Sequence, residues 1–263
     1  MKIKVNSFRA SKVGYTKQQC EDALYPCIKG EITKDIFSFA IADGTTVSML
    51  SRLWAKILVK LYCQNKISNI ETTAEEIVDQ AQKCWPKWKS RYIKKREKQN
   101  KPIKWYEEHG LEKGTFSTLL GITLLENNEW KVDVVGDSCL FQIRNNTLIT
   151  QFPISSPNGF SNHPPLICSH PVGKKCDFEQ KKGDWQTGDI FYLMTDAMAH
   201  WFLYTEQDQG KQLPWQTIKE MFEQKQISLI EQKIFIESWL HDQVRSQPFV
   251  QDDDMSVLQI EIM

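Results

Sequence analysis

The amino-acid sequence predicts an α+β fold, and three patterns indicate it. Apolar and polar residues alternate through residues 2–8 and again through 258–262, which is the period of a half-buried strand. Residues 48–63 place apolar side chains three and four positions apart, the spacing of a helix that packs on a sheet. Residues 118–152 contain apolar runs separated by short polar turns, which is typical of an antiparallel meander.

The composition favours one globular domain and no general attraction to polyanions. The chain has 263 residues, of which 41% are hydrophobic and 25% charged, enough for a sizeable core. It shows no internal repeat and no long linker, so we expect a single domain over residues 1–263. Lys+Arg and Asp+Glu number 33 each, so no overall charge attracts nucleic acid or an anionic membrane, and neither is expected as a partner.

Cysteine usage and the N-terminus predict a cytoplasmic protein. The seven cysteines are odd in number, scattered and without a Cys-x-x-Cys pair, which is typical of a reducing compartment. Residues 1–6 alternate like a strand and lack the apolar core of a signal peptide. No apolar run approaches the roughly 18 residues that a membrane span needs.

In the N-terminal half, each element is predicted by its own pattern. A Thr followed three residues later by Glu, as at Thr73 and Glu76, is the capping box that opens a helix. The predicted elements are a strand over 2–8, a loop over 11–17, a strand over 36–40 that ends in the turn 41–46, a helix over 48–63 and a second helix from Thr73 to Trp85.

In the C-terminal half, strands precede helices. The stretch 153–187 is rich in Pro, Gly, Ser and His and is predicted as irregular loop with one strand at most. The other predicted elements are strands over 118–125, 130–135, 140–143, 148–152 and 190–194, helices over 198–204, 215–222 and 227–240, and a closing strand over 258–262.

A strongly basic segment lies between these halves, within residues 86–112. Residues 87–104 contain nine basic residues and one acid, Glu97. Trp88 and Tyr92 lie among them, and Trp105 follows directly. The segment fits a contact surface for phosphate or nucleic acid, since Lys and Arg supply charge and aromatics stack on bases. It equally fits a helix continuation and loop that face water.

Four aspartates share one position relative to the predicted strands. Asp43, Asp137 and Asp196 follow strand ends, and Asp253 precedes the last strand. Taken singly, each fits a turn or helix cap. Taken together, they can project from sheet edges into one cavity, where they would repel one another unless cations lay between them. Oxygen ligands without Cys or His select Mg2+ or Mn2+ over Zn2+.

Several segments match, in order, the motifs of a known family. The chain resembles the metal-dependent serine/threonine protein phosphatases of the 2C type from about residue 9 to its C-terminus. The matching segments are Lys17-Gln-Gln-Cys-Glu21-Asp22-Ala23, Ala42-Asp43-Gly44, 114–119, Val135-Gly136-Asp137-Ser138, Gly188-Asp189 with Met194-Thr195-Asp196-Ala197, and Asp253-Asp254-Met255-Ser256-Val257.

The resemblance implies a four-layer α-β-β-α sandwich, two antiparallel sheets flanked by helices, with a binuclear Mn2+ or Mg2+ site at one end. Asp43 would bridge the two ions. Asp196 and Asp253 would complete the first, and Glu21 with the Gly44 carbonyl would hold the second. Carried over in the same way, Asp22 orients a metal-bound water, Lys17 stands where the family binds phosphate, and Asp137 with Asp196 corresponds to a third, weaker metal position.

The activity that this resemblance implies is hydrolysis of phosphoserine and phosphothreonine in proteins, within a serine/threonine kinase system. Phosphate monoesters hydrolyse very slowly without a catalyst, so the site must lower the barrier by about 20 kcal/mol or more. Two divalent ions make hydroxide available near neutral pH and neutralise the phosphoryl oxygens. A protein nucleophile is not required, and the sequence contains no Cys-x5-Arg loop.

The chain departs from the family pattern at four positions. Lys17 replaces an Arg and lacks its planar fork, so phosphate binding is expected to be weaker, with Arg9 as a candidate substitute. Thr45 replaces a proposed general acid His. Ala197 replaces a Gly, and Asp254 replaces an Asn next to the metal ligands.

These departures leave two other functions open. One is a catalytically weak or inactive phosphatase-fold module that binds a phosphorylated partner, which Lys17, Ala197 and the basic segment favour. The other is a metal-dependent nuclease that uses the basic segment.

Overall fold

Two antiparallel sheets and the helices on their outer faces form the molecule. This computed structural model describes residues 1–161, 163–171, 176–208, 212–223 and 229–263. The strands are β1 Lys2–Ala10, β2 Ala23–Tyr25, β3 Gly30–Thr33, β4 Phe37–Ala42, β5 Phe116–Ser117, β6 Leu119–Leu124, β7 Glu129–Val135, β8 Cys139–Arg144, β9 Thr147–Phe152, β10 Ile167–Cys168, β11 Glu179–Asp184, β12 Ile190–Met194 and β13 Met255–Ile262. The α-helices are α1 Ser51–Ser68, α2 Ala74–Lys98, α3 Trp105–Glu112, α4 Asp196–Gln207, α5 Pro214–Glu223 and α6 Leu229–Trp239, which a π-helical segment, Leu240–Arg245, continues.

The strand order separates the chain into a six-stranded and a five-stranded sheet. The first has the order β3-β1-β13-β12-β8-β9, and the second has the order β11-β7-β6-β4-β2. The neighbouring strands within each sheet run antiparallel. The short strands β5 and β10 form a separate pair.

Three apolar layers hold the sheets and helices together. Leu258, Phe191 and Trp130 belong to the buried cluster between the two sheets. A second cluster packs α1 and α2 on the five-stranded sheet, and a third packs α4 and α5 on the six-stranded sheet. The predicted α+β class and the four-layer sandwich are therefore confirmed.

The predicted meander is wrong, because the chain changes sheets in its middle. β6 pairs with β7 in one sheet and β8 pairs with β9 in the other. The crossing lies at Gly136, which has a φ of 109°. A Cβ there would lie 2.5 Å from Thr118 Cγ2. A left-handed backbone in close contact with a neighbouring strand requires glycine, and it turns the chain out of the first sheet.

Several element boundaries differ from the predictions. The capping box of Thr73 and Glu76 is present, but α2 continues past Trp85 through the basic residues to Lys98. The basic segment is therefore helical in its first part and continues into α3. The stretch predicted as loop contributes β10 and β11, of which β11 is an exposed edge strand of polar sequence without an apolar period. The predicted start of α6 at 227 lies outside the described residues.

Among the described residues, no helix has both the length and the apolar content that crossing a bilayer requires.

Candidate active site

Asp43 lies in a loop whose backbone is fixed by the neighbouring chain. Its N–H donates to Thr118 Oγ1 at 2.9 Å, and its carbonyl accepts from the Thr118 N–H at 2.8 Å and from Ser117 Oγ at 2.7 Å. A Cβ on Gly44 would lie 2.8 Å from the carbonyl carbon of Ser51. Only glycine fits where this loop passes the start of α1, so Asp43 is held in one place by backbone contacts on both sides.

Asp22 is a fully buried carboxylate with one oxygen engaged. Its Oδ2 accepts from Thr195 Oγ1 at 3.0 Å, and that hydroxyl accepts from the Ser256 N–H at 3.0 Å. Within the described residues, its Oδ1 has no hydrogen-bond partner. Burial, assisted by the charge of Asp254, raises the pKa of Asp22 to about 7.

Three more aspartates lie at the ends of strands, where the sequence predicts them. Asp137 follows β7, Asp196 opens α4 after β12, and Asp253 precedes β13. Burial and the charge of Asp253 raise the pKa of Asp137 to about 6. Burial raises the pKa of Asp196 well above its ordinary value, and the charges of Asp137 and Asp253 add to the effect. Burial likewise raises the pKa of Asp253.

Asp43 is the electrostatic centre of this group. Burial raises its pKa well above the ordinary value, and four other carboxylates raise it further. Carboxylates change one another's ionisation only when they lie close together. The structure therefore brings five aspartates into one region at the end of the sandwich. The aspartates are Asp22, Asp43, Asp137, Asp196 and Asp253.

The carboxylate of Glu21 is hydrogen-bonded to the start of α1. Its Oε1 accepts from Ser51 Oγ at 2.6 Å, at the first residue of α1. Its backbone N–H donates to Asp254 Oδ2. The structure thus places Glu21 and Gly44 beside the start of α1. Ser51 holds the Glu21 side chain, a contact that the sequence did not predict.

The donor types suit a hard divalent cation, although their arrangement among the described residues does not form a metal site. In the described ranges, no group of three or more Asp, Glu, His or Cys side chains could hold a metal ion in the arrangement shown. Nevertheless the region offers carboxylate oxygens, the donors that Mg2+ and Mn2+ prefer. Asp22 Oδ1 and Asp137 Oδ1 are buried without a partner among the described residues. Buried oxygens without a partner are costly, and a cation would satisfy them and reverse the upward pKa shifts.

A lysine that the sequence did not single out lies at the edge of the group. Lys12 Nζ lies 3.9 Å from Asp253 Oδ1 and donates to Thr46 Oγ1 at 3.1 Å, with 14% of its side chain exposed. Lys17 lies on an exposed turn of the same loop. Arg9 donates from a guanidinium nitrogen to the Asp22 carbonyl at 2.8 Å and so positions backbone.

Two departures from the family pattern have a structural explanation. Ala197 lies in the first turn of α4, and its backbone is not in the left-handed region, so the added methyl is tolerated. Asp254 accepts from the Lys12 N–H with Oδ1 and from the Glu21 N–H with Oδ2. An Asn has only one acceptor oxygen, so the Asp holds both ends of the loop 12–21.

Sequence reasoning missed the hydroxyls that support the site. Thr118 and Ser117 hydrogen-bond to Asp43, and Thr195 hydrogen-bonds to Asp22. Each of the three lies beside residues that indicated a strand or a motif, and it had no distinguishing pattern of its own. Ser and Thr at strand ends are common, so only the tertiary pairing reveals their part.

The fold is a two-sheet sandwich with buried carboxylates at one end, and comparison with known sequences identifies its family. The family model of protein phosphatase 2C matches residues 13–245. The chain belongs to the protein phosphatase 2C family.

Solved structures share the fold at low sequence identity. The Mycobacterium tuberculosis serine/threonine phosphatase PstP/Ppp has a TM-score of 0.57 and 14% identity, covering 100% of this chain and 99% of that chain. The photosystem II phosphatase PBCP has a TM-score of 0.59 and 14% identity, covering 99% of each. The catalytic domain of PstP in complex with two manganese ions has a TM-score of 0.53 and 14% identity, covering 98% of each. The comparison with curated proteins found no match.

Proposed function

We propose that this protein is a Mn2+- or Mg2+-dependent phosphatase that hydrolyses phosphoserine and phosphothreonine in proteins. The observation that carries the proposal is the convergence of five aspartates from separate segments, each of which burial holds at a raised pKa. Mutual repulsion of the carboxylates lowers stability, and bound divalent cations would neutralise that repulsion.

The residues proposed to hold the ions are those that the family resemblance assigns. Bound divalent ions would supply Lewis-acid activation of water and neutralise the charge of the phosphoryl group. The proposed ligands are Asp43, Asp196 and Asp253, with Glu21 and the Gly44 carbonyl for a second ion and Asp137 for a third position.

Asp22 is suited to take a proton in this reaction. Water adds to phosphorus, and the bond from phosphorus to the seryl or threonyl oxygen breaks. That oxygen takes a proton from solvent and leaves as the alcohol, while the attacking water loses a proton and becomes part of the released phosphate. Thr195 occupies Oδ2 of Asp22, so Oδ1 is the free oxygen. An ionised carboxylate with a free oxygen is a suitable general base for this proton.

The substrate we propose is a phosphorylated protein supplied by a serine/threonine kinase system. The family match supports this class, and so does the likeness in fold to the serine/threonine phosphatase PstP/Ppp. The alternative, a weak or inactive module that binds a phosphorylated partner, draws support from the Glu21 side chain, which is bonded to Ser51.

The test is Mn2+-dependent release of phosphate from an aryl phosphate and from a phosphothreonine peptide. Asp43→Asn and Asp253→Asn are each expected to lower kcat/KM by about a hundredfold or more, because each removes a charged ligand. Asp35→Asn, an exposed loop residue, is the matched control and should leave kcat/KM unchanged.

Three results would contradict the assignment in different ways. Full activity of both ligand variants would place the metal site elsewhere. Binding of the phosphopeptide without any turnover would identify the inactive module instead. Cleavage of nucleic acid without release of phosphate from the peptide would identify a nuclease.

A further inference from the structure

We propose that the exposed face of the second half of α2 binds an acidic segment of the phosphoprotein substrate. This inference deepens the proposed function and rests on it for the identity of the partner. The surface, here termed the basic stripe, consists of Lys87, Arg91, Lys94, Lys95 and Lys98.

The basic stripe follows from helical periodicity. Its residues are spaced by three and four positions within α2, and such spacing puts them on one side of a helix. All five are solvent-exposed. At about 1.5 Å of rise per residue, the stripe is roughly 16 Å long.

The charges of the basic stripe are not neutralised within the described chain. No described carboxylate forms an ion pair with any of its five residues, whereas Arg96, on another side of α2, pairs with Glu107 at 3.1 Å. The stripe contains like charges four positions apart, at Lys87 and Arg91 and again at Lys94 and Lys98, which destabilise a helix slightly. Among the described residues, no counter-charge favours this arrangement, and an acidic partner would supply one.

The second half of α2 is braced although it does not enter the core. The buried residues of α2 end at Trp85. Beyond them, Arg96 donates to Glu107 with two nitrogens and to the Lys101 carbonyl with Nε at 2.8 Å. The N–H of Lys104 donates to Glu107 Oε2 at 2.8 Å, so the same Glu also caps α3. These polar contacts hold the stripe in a defined orientation, which lowers the entropic cost of binding.

The groove between α2 and α3 lies on a different side of α2 from the stripe. It has a volume of about 610 Å3 and is lined from α2 by Lys89, Ile93 and Glu97. Since α3 packs there, the stripe stays open to a partner.

The braced helices adjoin the loop that follows the candidate site. A Cβ on Gly110 of α3 would lie 3.1 Å from Met49 Sδ, so the Met49 side chain packs directly on the backbone of α3. Met49 belongs to the loop between Gly44 and α1, and its carbonyl accepts from Thr115 Oγ1 at 2.6 Å. A phosphoprotein whose phosphorylated residue reaches Asp43 can therefore place a flanking segment towards α2 and α3.

The chemistry of the stripe favours an acidic polypeptide over nucleic acid. Single-stranded nucleic acid is bound by successive aromatic side chains on which bases stack. The stripe has only Trp88 at its edge, 38% exposed, and the Arg91 guanidinium lies 5.2 Å from its ring centroid. A row of basic side chains without aromatic rings for bases to stack on is suited to carboxylate side chains. Such charge complementarity mainly raises the rate of encounter and the specificity of binding.

The test compares two triple charge reversals. The stripe variant combines Lys87→Glu, Lys94→Glu and Lys98→Glu. The matched control combines Lys34→Glu, Lys181→Glu and Lys182→Glu, which are exposed on other elements. Binding of a fluorescent Asp/Glu-rich peptide is measured by anisotropy at low and high salt, and unfolding is followed to verify that both variants fold.

The stripe variant is expected to weaken peptide binding about tenfold at low salt, with the difference shrinking at high salt, while the control keeps wild-type affinity. Turnover of an aryl phosphate should stay unchanged in both variants. Equal affinity of the stripe variant and the control would overturn the proposal, and so would tighter binding of single-stranded DNA than of the acidic peptide. Stripe-dependent peptide binding without any turnover of the aryl phosphate would support the docking surface and contradict the proposed function.

Discussion

Lys12 and Lys17 lie in one loop but differ in their surroundings. The ammonium of Lys12 is near Asp253 and Thr46, with most of its side chain covered, whereas Lys17 is exposed. The sequence alone favours Lys17, because only Lys17 stands at the motif position. A cation that already faces the carboxylates is better placed to meet a phosphoryl group between them.

We therefore expect Lys12→Ala to raise the KM for an aryl phosphate by about tenfold with a smaller change in kcat, since a lost charge contact in the bound substrate weakens binding. Lys17→Ala should raise KM less, about twofold, because an exposed charge contributes little. Steady-state kinetics at saturating Mn2+ measure both, and Lys12→Arg should restore most of the binding. A larger rise in KM for Lys17→Ala than for Lys12→Ala would return the phosphate contact to Lys17.

For Glu21 and Asp254, the sequence motif predicts the position but not the contacts of the side chain. Both lie in matched motifs, and the pattern assigns Glu21 to the metal and leaves the effect of Asp254 open. In the structure, Glu21 bonds to Ser51 and Asp254 holds the backbone of Lys12 and Glu21. Side-chain direction depends on partners distant in sequence, so a motif predicts position along the chain but not the contact.

The chain crosses from one sheet to the other at Gly136, and this crossing positions Asp137, which follows it directly. The apolar runs on both sides predict β7 and β8 correctly, because their alternation is local. The period of two that predicts a strand does not specify which sheet the strand joins. The sequence allowed one strand within 153–187 but did not locate β11, since the sequence of β11 is polar throughout and its stability comes from pairing with β7.

Gly136→Ala is expected to destabilise the protein by roughly 2–4 kcal/mol, from a strained φ and overpacking against Thr118. Gly188→Ala is the matched control. Gly188 also has a positive φ, of 93°, but a Cβ there meets nothing within 4 Å, so the cost should be about 1 kcal/mol. Denaturant unfolding measures both free energies, and equal losses would show that the contact with Thr118 is not what requires glycine.

The whole molecule balances its charges in number but not in space. Lys+Arg and Asp+Glu are equal at 33 each, yet the aspartates gather at one end of the sandwich and the basic stripe lies on a helix that leaves the core. The sequence predicts both groups as segments. The contact of Gly110 with the Met49 side chain, which joins α3 to the loop after Gly44, follows only from the packing of α3.

The acidic centre should also make the stability of the whole protein depend on pH and metal together. In the metal-free protein, burial raises the pKa of Asp22 from 3.8 to about 7, and Asp43, Asp137, Asp196 and Asp253 shift in the same direction. Between these values the folded state binds more protons than the unfolded state, so the free energy of unfolding falls as pH rises. The Asp22 contribution is complete below about pH 4 and is lost as pH rises through about 7.

With chelator present, we expect the melting temperature to fall by about 4 °C or more between about pH 5 and pH 8. Asp22→Asn should flatten part of that slope, because the amide does not titrate. Added Mn2+ should reverse the trend, since the ion binds deprotonated carboxylates and its stabilisation grows as pH rises. Thermal unfolding with chelator and with Mn2+ measures both effects. If the chelated protein grew more stable with rising pH, and Asp22→Asn left that slope unchanged, the carboxylates would not be buried together as the structure shows.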